Sequence, residues 1–600
     1  MPANLEHFGR SLPSTLSRFL KTSVVFSAIS ALAWIPAGHA DEASSGVTVE
    51  DSGPAGADAA KVPKARMAWW RDAKFGMFIH WGVYAVPARG GEWIMHREKI
   101  PVAQYREFSK EFNPVKFDAM AWAKLAKDAG MKYIVITAKH HDGFALFPSD
   151  VTDWDIADST PYRKDLLGPL EKAAHEEGLK FGFYYSQAQD WTHPGGAKSR
   201  HEEGGGWDEA HKGSFDQYLA KIALPQVREL LTKYKPDIIW WDTPTHMNAE
   251  RAKPFADLLA ARPDIISNNR LGGGFSGDTH TPEQFVPITG YPGDWETCMT
   301  IGKNWGFTKT DTELKSSTDL IRKLADICSK GGNFLLNVGP RPDGIIPEGF
   351  QERLLDVGKW LKVNGDSIYG TKAGPFAHLS WGCATAKGSR LFLHVFDWPA
   401  DGKLRLPLLS PVKSAHLLVE PGTPLKIASA HPENASQAPA SGATVVSLPK
   451  TAPDPSDSVV VLELDGPPVV APSPMLGASA TATAAQENSP AQNVLDGTGA
   501  KKWFAPKEVK EATLTVELAK KETISSIGFD DPDVWPRMSQ TFSFEAEVDG
   551  QWKPMASGKT TGHGILKKLA EPVTASKFRL TVSYDKGGPG VAEIQLFRPE

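Results

Sequence analysis

The sequence has little of what redox, membrane-spanning or nucleic-acid-binding proteins need. Only three of its 600 residues are cysteine, Cys298, Cys328 and Cys383, and their wide spacing matches no metal-binding motif and allows at most one disulfide. The 66 lysines and arginines do not outnumber the 71 aspartates and glutamates, so no basic excess exists to bind nucleic acid or anionic lipid. With 41% hydrophobic and 23% charged residues, the composition is that of an ordinary globular chain.

The amino-terminal 40 residues have the layout of a signal peptide. A basic start precedes about 15 apolar residues, 23–37, and the run ends in the small-residue sequence Ala-Gly-His-Ala at 37–40. We expect cleavage after Ala40 and a periplasmic or secreted protein. An uncleaved membrane anchor is the alternative, although the run is shorter than the roughly 20 residues that span a bilayer.

A small, polar linker at 41–62 precedes a long region, 63–372, in which apolar runs alternate with amphipathic stretches. Such repeated β-then-α units predict parallel strands covered by helices. The length favours a (β/α)8-like barrel, with a doubly wound open sheet as the alternative. The predicted strands are 75–82, 131–141, 180–187, 237–242, 264–270 and 333–339, and the predicted helices are 117–129, 167–178, 215–234, 249–261 and 317–329.

Helical periodicity stops after residue 372, and the rest of the chain is patterned as β-strands. Residues 373–465 predict a small antiparallel β-sandwich. A proline-rich stretch, 466–474, predicts a linker, and 475–600 predicts a second β-domain. Because a linker precedes it, we expect this last domain to be separable from catalysis.

Reactive or hydrogen-bonding side chains follow almost every predicted strand of the barrel. They are His80, His140-His141-Asp142, Tyr184-Tyr185, Asp242 and Asn268-Asn269-Arg270. The carboxyl ends of all barrel strands open on one face, so these groups should meet there although they are spread over about 200 residues. A helix N-cap is the alternative role for Asp242, which begins a βα loop.

Aromatic residues add a second signal, since 12 of the 19 tryptophans lie between Trp69 and Trp305. Trp81, Trp93, Trp191 and Trp295 stand beside histidine or carboxylate residues. Flat apolar faces bordered by hydrogen-bonding groups suit a sugar ring, and paired carboxylates carry out glycoside hydrolysis. A catalytic metal is not expected, because His140 and His141 should point apart and no ligand motif accompanies them.

Six stretches occur in order and in chemically distinctive form: AKFGMFIHWGVYAVPARGGEW (73–93), AKHHDGFALFPS (138–149), FYYSQAQDW (183–191), PDIIWWD (236–242), TPEQFVP (281–287) and WETCMTIGKNWGF (295–307). They resemble glycoside hydrolase family 29, the retaining α-L-fucosidases, over about residues 65–372. The resemblance implies a barrel followed by a β-sandwich, with Asp242 as the nucleophile at the end of the fourth strand. It also implies fucosylated oligosaccharides or glycoconjugates as substrates, and no cofactor.

With the aromatic pattern, the resemblance also assigns a set of residues to the fucose site. These are His80, Glu92, Trp93, His140, His141, Tyr185, Trp240, Arg270, Trp295 and Trp305. Tyr184 is the alternative to Tyr185, because the motif identifies the pair of tyrosines but not which of the two lines the site.

Two glutamates compete for the role of acid/base. Glu296 lies in a run that reads as a barrel strand, whereas Glu283 lies in a loop 41 residues beyond Asp242. A loop can carry its carboxylate over a bound sugar, and functional groups concentrate on loops. The resemblance of Thr281-Pro282-Glu283 points the same way, so Glu283 is the first choice and Glu296 the alternative.

Two finer resemblances concern linkage and the last domain. The stretch 295–307 resembles the branch that prefers α1,3/1,4-linked fucose, except that Phe307 stands where a tyrosine is usual. The stretches NVLDG (493–497), WF (503–504) and VAEIQLF (591–597) are similar to discoidin-like domains. Whether this domain binds sugar or a structural calcium stays open, as does the oligomeric state.

Two other classes of protein remain open from the residues alone. A hydrolase of another L-galacto-type sugar would use the same carboxylate pair. A non-catalytic sugar-binding protein on the same fold would keep the aromatic and histidine residues but would not need Asp242 with a partner acid.

Overall fold

The computed structural model describes residues 65–196, 206–429, 444–534 and 537–600. The expected signal peptide (1–40) and the linker at 41–62 lie outside the described residues. Within the described ranges, no helix is both long enough and apolar enough to cross a membrane.

Seven parallel strands form the sheet of the first domain, in the order β5-β4-β3-β2-β1-β7-β6. They are β1 (Phe75–Ile79), β2 (Tyr133–Lys139), β3 (Lys180–Tyr185), β4 (Ile238–Trp241), β5 (Ile266–Ser267), β6 (Glu296–Thr300) and β7 (Asn333–Val338). Every residue of β1, β2 and β7 is buried, as expected for a parallel sheet that is covered on both faces. Strands that are consecutive in the chain are mostly neighbours in space.

The two edge strands, β5 and β6, are connected by residues 279–284, which we call the bridging segment. Isolated parallel bridges pair Thr279 with Asn268 on one side, and Glu283 with Cys298 on the other. The chain turns back towards β5 at Gly277, whose φ is +61° and whose added Cβ would lie 2.2 Å from the Asn268 oxygen. The bridging segment thus occupies the position of an eighth strand, between β5 and β6. The predicted (β/α)8-like barrel is confirmed.

Helices cover the outside of the barrel, and several begin at a capping side chain. Asp118, Asn248 and Ser316 each accept a hydrogen bond from the backbone N–H three residues later. The α-helices are α1 (Ala68–Ala73), α2 (Ile94–Arg97), α3 (Val102–Arg106), α4 (Ala119–Asp128), α5 (Leu167–Glu176), α6 (Phe215–Tyr218), α7 (Leu224–Lys233), α8 (Ala249–Ala260), α9 (Ser317–Ser329) and α10 (Glu348–Asn364). A π-helical stretch, Leu219–Ala223, joins α6 to α7. Short 3-10 turns are Ala65–Met67, Val83–Ala85, Gly91–Trp93, Glu107–Lys110, Glu209–His211, Asn269–Leu271, Gly365–Ser367 and Ala491–Leu495.

A β-sandwich follows the barrel, as predicted. Its strands are β8 (Lys372–Ala373), β9 (Gly382–Lys387), β10 (Arg390–Val395), β11 (Lys403–Leu406), β12 (Val412–Leu417), β13 (Glu420–Pro424), β14 (Ile427–Ser429), β15 (Thr444–Ser447) and β16 (Ser458–Leu464). The sheet β13-β12-β16-β10-β9-β8 faces the sheet β11-β15-β14. Side chains alternate along β10, so Phe392 joins the barrel core while Leu391 and Leu393 fill the core of the sandwich.

The last domain is a separate antiparallel β-structure with its own core, which includes Trp503, Phe544, Phe578 and Leu596. Its main sheet has the order β17-β19-β22-β20-β21, with β24 paired to β19, and β18 pairs with β23. The strands are β17 (Ser479–Ala482), β18 (Trp503–Phe504), β19 (Glu511–Asp530), β20 (Thr541–Val548), β21 (Gln551–Lys559), β22 (Ile565–Ser583), β23 (Gly590–Val591) and β24 (Glu593–Phe597).

The stretch predicted as a linker, 466–474, runs beside the sandwich and is hydrogen-bonded to it. Leu409 donates its N–H to the Val469 oxygen at 2.8 Å, and Ala471 donates to the Pro407 oxygen at 2.8 Å. These bonds satisfy backbone groups at the edge of the sandwich, which a free tether would leave to water.

Candidate active site

The polar side chains that follow the barrel strands meet at the carboxyl ends of those strands, as the sequence predicted. The inward positions of the strands alternate with positions that face the helices. Phe78, Tyr184 and Trp240 belong to the cluster inside the barrel, whereas Tyr185 and Trp241 pack in the core beneath the helices. Tyr184 stacks on Trp240 at 5.7 Å between ring centroids.

Asp242 follows β4 directly, and both of its carboxylate oxygens accept hydrogen bonds. Its Oδ1 accepts hydrogen bonds from Arg270 and from the Thr243 N–H, each at 2.8 Å. Its Oδ2 accepts from the Tyr184 hydroxyl at 2.8 Å and lies 3.5 Å from Nε2 of His141. Burial alone would raise the pKa of this carboxyl, but the charges of Arg270 and His141 and the hydrogen bonds outweigh it and hold the pKa well below its ordinary value. Asp242 is therefore ionised at neutral pH.

Arg270 connects Asp242 to Glu283. The same nitrogen, Nη1, donates to Asp242 Oδ1 at 2.8 Å and to Glu283 Oε2 at 3.0 Å. Its other nitrogens donate to the hydroxyl and the main-chain oxygen of Thr281 at 2.9 and 2.8 Å, and its guanidinium lies 4.8 Å from the ring centroid of Trp240. The guanidinium is thereby held by all three of its nitrogens, and Nη1 directs one N–H to each carboxylate.

The two carboxylates on Arg270 lie close together. Because Asp242 Oδ1 and Glu283 Oε2 are each within 3.0 Å of one nitrogen, their separation cannot exceed about 6 Å. The side chain of Glu283 is 29% exposed, so it reaches the opening of the site, while that of Asp242 is 14% exposed. The loop expected around Glu283 is the bridging segment, hydrogen-bonded to its neighbours, so its carboxylate has a defined position.

Three histidines form one wall beside Asp242. His80 Nδ1 lies 2.7 Å from the Asn337 side-chain oxygen, and His141 Nδ1 lies 2.7 Å from the Ser186 hydroxyl. His140 stacks on the ring of Tyr184, with centroids 5.3 Å apart. Burial lowers the pKa of His80 to about 4 and lowers the pKa of His140 well below its ordinary value. These two imidazoles are neutral at pH 7, and each neutral ring offers one donor and one acceptor nitrogen.

Aromatic residues and one further carboxylate complete the rim. Trp93 meets His141 with ring centroids 5.2 Å apart, and Trp305 lies 4.9 Å from the His80 ring. Glu92 is buried and accepts a hydrogen bond from the Gly306 N–H at 2.9 Å. Burial raises the pKa of Glu92, an effect that the Gly306 hydrogen bond opposes and that the negative charge of Glu283 reinforces.

The structure corrects the choice between two neighbouring tyrosines. Tyr185 points away from Asp242, and its hydroxyl donates to the side chain of Gln226 at 2.8 Å on the helical side of the sheet. The neighbouring Tyr184 is the member of the pair that reaches Asp242. The pleat of β3 makes the two side chains point to opposite faces, so only one of them can enter the site.

Two further expected residues, Trp295 and Glu296, lie at the other end of the barrel. Trp295 is fully buried just before β6, where its indole N–H donates to the Lys330 oxygen at 3.3 Å. Glu296 is the first residue of β6 and accepts hydrogen bonds from the Tyr133 hydroxyl and from Trp240 Nε1. Burial raises the pKa of Glu296 to about 7 against those hydrogen bonds. Trp240 lies between Glu296 and Arg270. Trp295 and Glu296 therefore do not border Asp242.

Two residues at the site were missed by the sequence reasoning. Gln187 accepts a hydrogen bond from the Asp242 N–H at 3.2 Å and donates to the Arg270 oxygen at 2.8 Å, which ties the two backbones together. Asn337 orients His80. Gln187 lies just after β3 and Asn337 near the end of β7. This position at the carboxyl end of a strand is the feature of the sequence that could have identified them.

Within the part of the chain that the structure describes, no group of three or more histidine, cysteine, aspartate or glutamate side chains could hold a metal ion. The three cysteines are free and buried. The structural calcium considered for the last domain stays a prediction.

Comparison with known proteins identifies the families that the chain matches. The family model described as Alpha-L-fucosidase matches residues 48–366, and the model described as F5/8 type C domain matches residues 478–595. The tissue alpha-L-fucosidase of Bos taurus is 35% identical over 392 residues, which cover 58% of this chain and 78% of that protein.

Solved structures extend the likeness to the fold. Alpha-L-fucosidase isoenzyme 1 from Paenibacillus thiaminolyticus is 37% identical, with a TM-score of 0.60 over 67% of this chain and 99% of that one. A GH29 alpha-L-fucosidase from Bacteroides thetaiotaomicron, 28% identical, has a TM-score of 0.60 over 69% of this chain and 99% of its own. That structure is described as a trapped covalent intermediate in complex with 2-fluoro-fucosyl fluoride.

Proposed function

This chain belongs to the α-L-fucosidase family, glycoside hydrolase family 29, and on that premise we propose that it removes terminal α-linked L-fucose with retention of configuration. Asp242 acts as the nucleophile and Glu283 as the acid/base. The observation that carries the proposal is the single Arg270 nitrogen shared by both carboxylates. A separation below about 6 Å suits the about 5–5.5 Å of retaining enzymes better than the roughly 6.5–9.5 Å of inverting ones.

The first step forms a glycosyl-enzyme. The ionised Asp242 attacks the anomeric carbon, and the bond between that carbon and the leaving oxygen breaks as Glu283 gives its proton to the oxygen. Tyr184 and Arg270 hold the attacking carboxylate in place. In the second step Glu283 takes a proton from water, the water oxygen attacks the anomeric carbon, and Asp242 leaves as a carboxylate. The covalent intermediate described for the Bacteroides relative supports this double displacement.

The walls around Asp242 suit one uncharged deoxy sugar. Neutral His80, whose Nδ1–H donates to Asn337, offers Nε2 as an acceptor to a hydroxyl group, neutral His140 has one donor and one acceptor nitrogen, and buried Glu92 offers acceptors. Trp93 and Trp305 present flat apolar faces at the rim. We expect these residues to enclose a single terminal fucose, so that cleavage is exo-acting. Fucosidases act without cofactors.

The linkage preference we propose is α1,3/1,4 on branched glycans. Its support is the stretch 295–307, in which Gly306 reaches the site through its bond to Glu92. Phe307 departs from the tyrosine usual in that branch. Fucosyl-oligosaccharides with α1,2, α1,3, α1,4 and α1,6 linkages, compared by kcat/KM, test it. Equal rates on all four, or a preference for α1,2, would contradict it.

Two assays test the activity and its stereochemistry. Nitrophenyl α-L-fucoside is compared with the corresponding β-L-galactoside, α-L-galactoside and β-D-galactoside, and we expect the fucoside to be the preferred substrate. Proton NMR of the first-formed sugar should show α-fucose, because two displacements restore the starting configuration. Initial β-fucose would exclude retention.

We also propose that the protein is exported. The basic start, apolar run and small residues at 37–40 support cleavage after Ala40. Amino-terminal sequencing of the exported protein should begin at Asp41, and an intact amino terminus on an exported protein would contradict the proposal.

A further inference from the structure

The last domain touches the backbone of the proposed acid/base residue. Nη2 of Arg537, between β19 and β20, donates a hydrogen bond to the main-chain oxygen of Glu283 at 2.6 Å. The two residues are 254 positions apart in the chain. A bond from a charged donor to a carbonyl is stronger than a neutral one, and this bond is shielded because both residues are partly buried.

The peptide group that follows Glu283 is therefore held from both sides. Its oxygen accepts from Arg537, while its N–H, that of Gln284, donates to the Cys298 oxygen on β6 at 2.9 Å. Gln284 has a φ of +65°, a left-handed conformation that is unfavourable for a residue with a side chain. Such a conformation persists where the surroundings over-determine it. Here the barrel fixes one end of the peptide and the last domain fixes the other.

A second contact secures the residue two positions further on. The ring of Phe285 stacks on His563 with centroids 4.9 Å apart, and the Arg537 guanidinium lies 5.5 Å from the Phe285 centroid. His563 Nδ1 lies 3.1 Å from Nη1 of Arg537. Burial and the Arg537 charge lower the pKa of His563 to about 4, so at neutral pH the ring is neutral and Nδ1 can accept that hydrogen bond.

The last domain, which contains Arg537, makes further hydrogen bonds to the rest of the chain. The Ile288 N–H donates to Asp530 at 3.1 Å, and the Tyr291 hydroxyl donates to Asp533 at 3.2 Å. At a distant point, the Glu600 carboxylate accepts from the Ser380 N–H and hydroxyl at 2.7 and 2.9 Å. The predicted linker at 466–474 is the basis for expecting the last domain to be separable from catalysis. These contacts are a reason to expect that the two are coupled.

We propose that Arg537 is a positioning residue for acid/base catalysis, through which the last domain sets the position of the Glu283 carboxylate. His563 supports it by orienting the guanidinium and by packing on Phe285. The inference rests on the proposed role of Glu283. A mere structural link between domains would affect all substrates alike, whereas a displaced acid harms only those substrates whose leaving group must be protonated.

The test compares two substrates in the full-length protein. Arg537→Ala should lower kcat/KM at least 10-fold for an unactivated fucosyl-oligosaccharide, and less than 3-fold for nitrophenyl α-L-fucoside, whose leaving group departs without a proton. Arg537→Lys, which keeps a charged donor, should recover part of the loss. Glu600→Ala is the matched control, because it breaks another interdomain contact and should leave the ratio of the two rates unchanged.

Two further variants keep the outcome decisive. If Arg537→Ala does not fold, His563→Ala should show the same selective loss in weaker form. Glu283→Ala, measured in parallel, tests the acid/base role of Glu283 independently of the positioning role of Arg537. If Glu283→Ala lacks the leaving-group dependence, the proposed role of Glu283 is wrong. If Glu283→Ala shows that dependence while the Arg537 and His563 variants lose both activities equally, or neither, the positioning role alone is overturned.

Discussion

Asp242 and Glu283 accept hydrogen bonds from one nitrogen atom, Nη1 of Arg270, at 2.8 and 3.0 Å. The pairing brings together a carboxylate at the end of β4 and another on the bridging segment, 41 residues further along the chain. A single cation between two carboxylates reduces the repulsion that would otherwise separate them. The same guanidinium therefore orients both groups that we propose to react.

Removal of the nucleophile should abolish most of the activity. Asp242→Gly should lower kcat at least about 10³-fold, which is about 4 kcal/mol of transition-state stabilisation. Added azide should restore turnover of nitrophenyl α-L-fucoside by attacking from the vacated face, and should yield β-fucosyl azide. NMR of the product checks the configuration. A loss of less than 10-fold, or an α-azide product, would contradict the assignment.

Substitutions of Glu283 and Glu296 should differ in how strongly their effect on activity depends on the leaving group of the substrate. Glu283→Ala should severely impair cleavage of a fucosyl-oligosaccharide but spare the first step with nitrophenyl α-L-fucoside, because that leaving group needs no proton. Azide should then accelerate turnover and give α-fucosyl azide. Glu296→Ala removes a side chain bonded to Tyr133 and Trp240, so we expect lower thermal stability without this pattern. The opposite result would exchange the two roles.

Neighbouring tyrosines on β3 offer a matched pair of substitutions. Tyr184→Phe removes a hydrogen bond to the ionised Asp242, worth about 1.5–3 kcal/mol, so kcat/KM should fall roughly 10- to 100-fold. Tyr185→Phe removes a bond to Gln226 on the helical side, so it should lower the free energy of unfolding by about 1 kcal/mol with little change in kcat/KM. Equal kinetic effects of both variants would show that the assignment from the pleat is wrong.

Loss of the Arg270 charge should change the pH profile. The charge of Arg270 is the main cause that lowers the pKa of Asp242 against burial. Without it, the pKa of Asp242 should rise, since an adjacent cation lowers a carboxyl pKa by about 1–3 units. Arg270→Met should thus move the acid limb of kcat/KM for nitrophenyl α-L-fucoside to higher pH. Arg270→Lys, which keeps the charge, should move it less, and an unmoved limb in Arg270→Met would contradict the electrostatic argument.

Stability should depend on pH through Asp530, which lies against Ile288. Burial raises the pKa of Asp530 to about 7, opposed by the Ile288 hydrogen bond and the Lys330 charge and reinforced by Asp531 and Asp533. An unfolded aspartate ionises near pH ~3.9. The folded state therefore binds more protons between these values, and the free energy of unfolding should fall as pH rises from about 4 to about 7.

Thermal unfolding at pH 5 and pH 8 checks this dependence. Asp530→Asn keeps an oxygen that can accept from Ile288 but cannot ionise. From pH 5 to pH 8 the unmodified chain should lose on the order of 2 kcal/mol more free energy of unfolding than the variant does. An identical pH dependence in both proteins would contradict the assigned titration.

Local patterns in the sequence were sufficient for the architecture and for the residues of the site that follow the strands. Apolar runs that end in polar residues identify the barrel strands, and their position at the carboxyl end brings His80, His141 and Asp242 to one face. The alternation of a strand also requires that one of Trp240 and Trp241 face inward. These features depend on residues that are neighbours in the chain, so periodicity reveals them.

The choice between adjacent candidates needed the tertiary structure. Tyr184 and Tyr185 are equivalent in composition, and which of them faces Asp242 depends on the register of β3 between β2 and β4. Glu296 has the sequence context of a site residue, yet it lies at the amino end of β6. Sequence spacing does not show at which end of a barrel a side chain lies.

The sequence by itself determined the order of strands and helices, the strand-end position of Asp242 and the family motifs around it, because each of these is encoded within a short stretch of chain. Only the tertiary structure decided that Arg270 joins Asp242 to Glu283, and that Arg537 reaches the Glu283 backbone from 254 residues away. Hydrogen bonds and charge interactions depend on distance through space, and that distance is set only when the whole chain has packed.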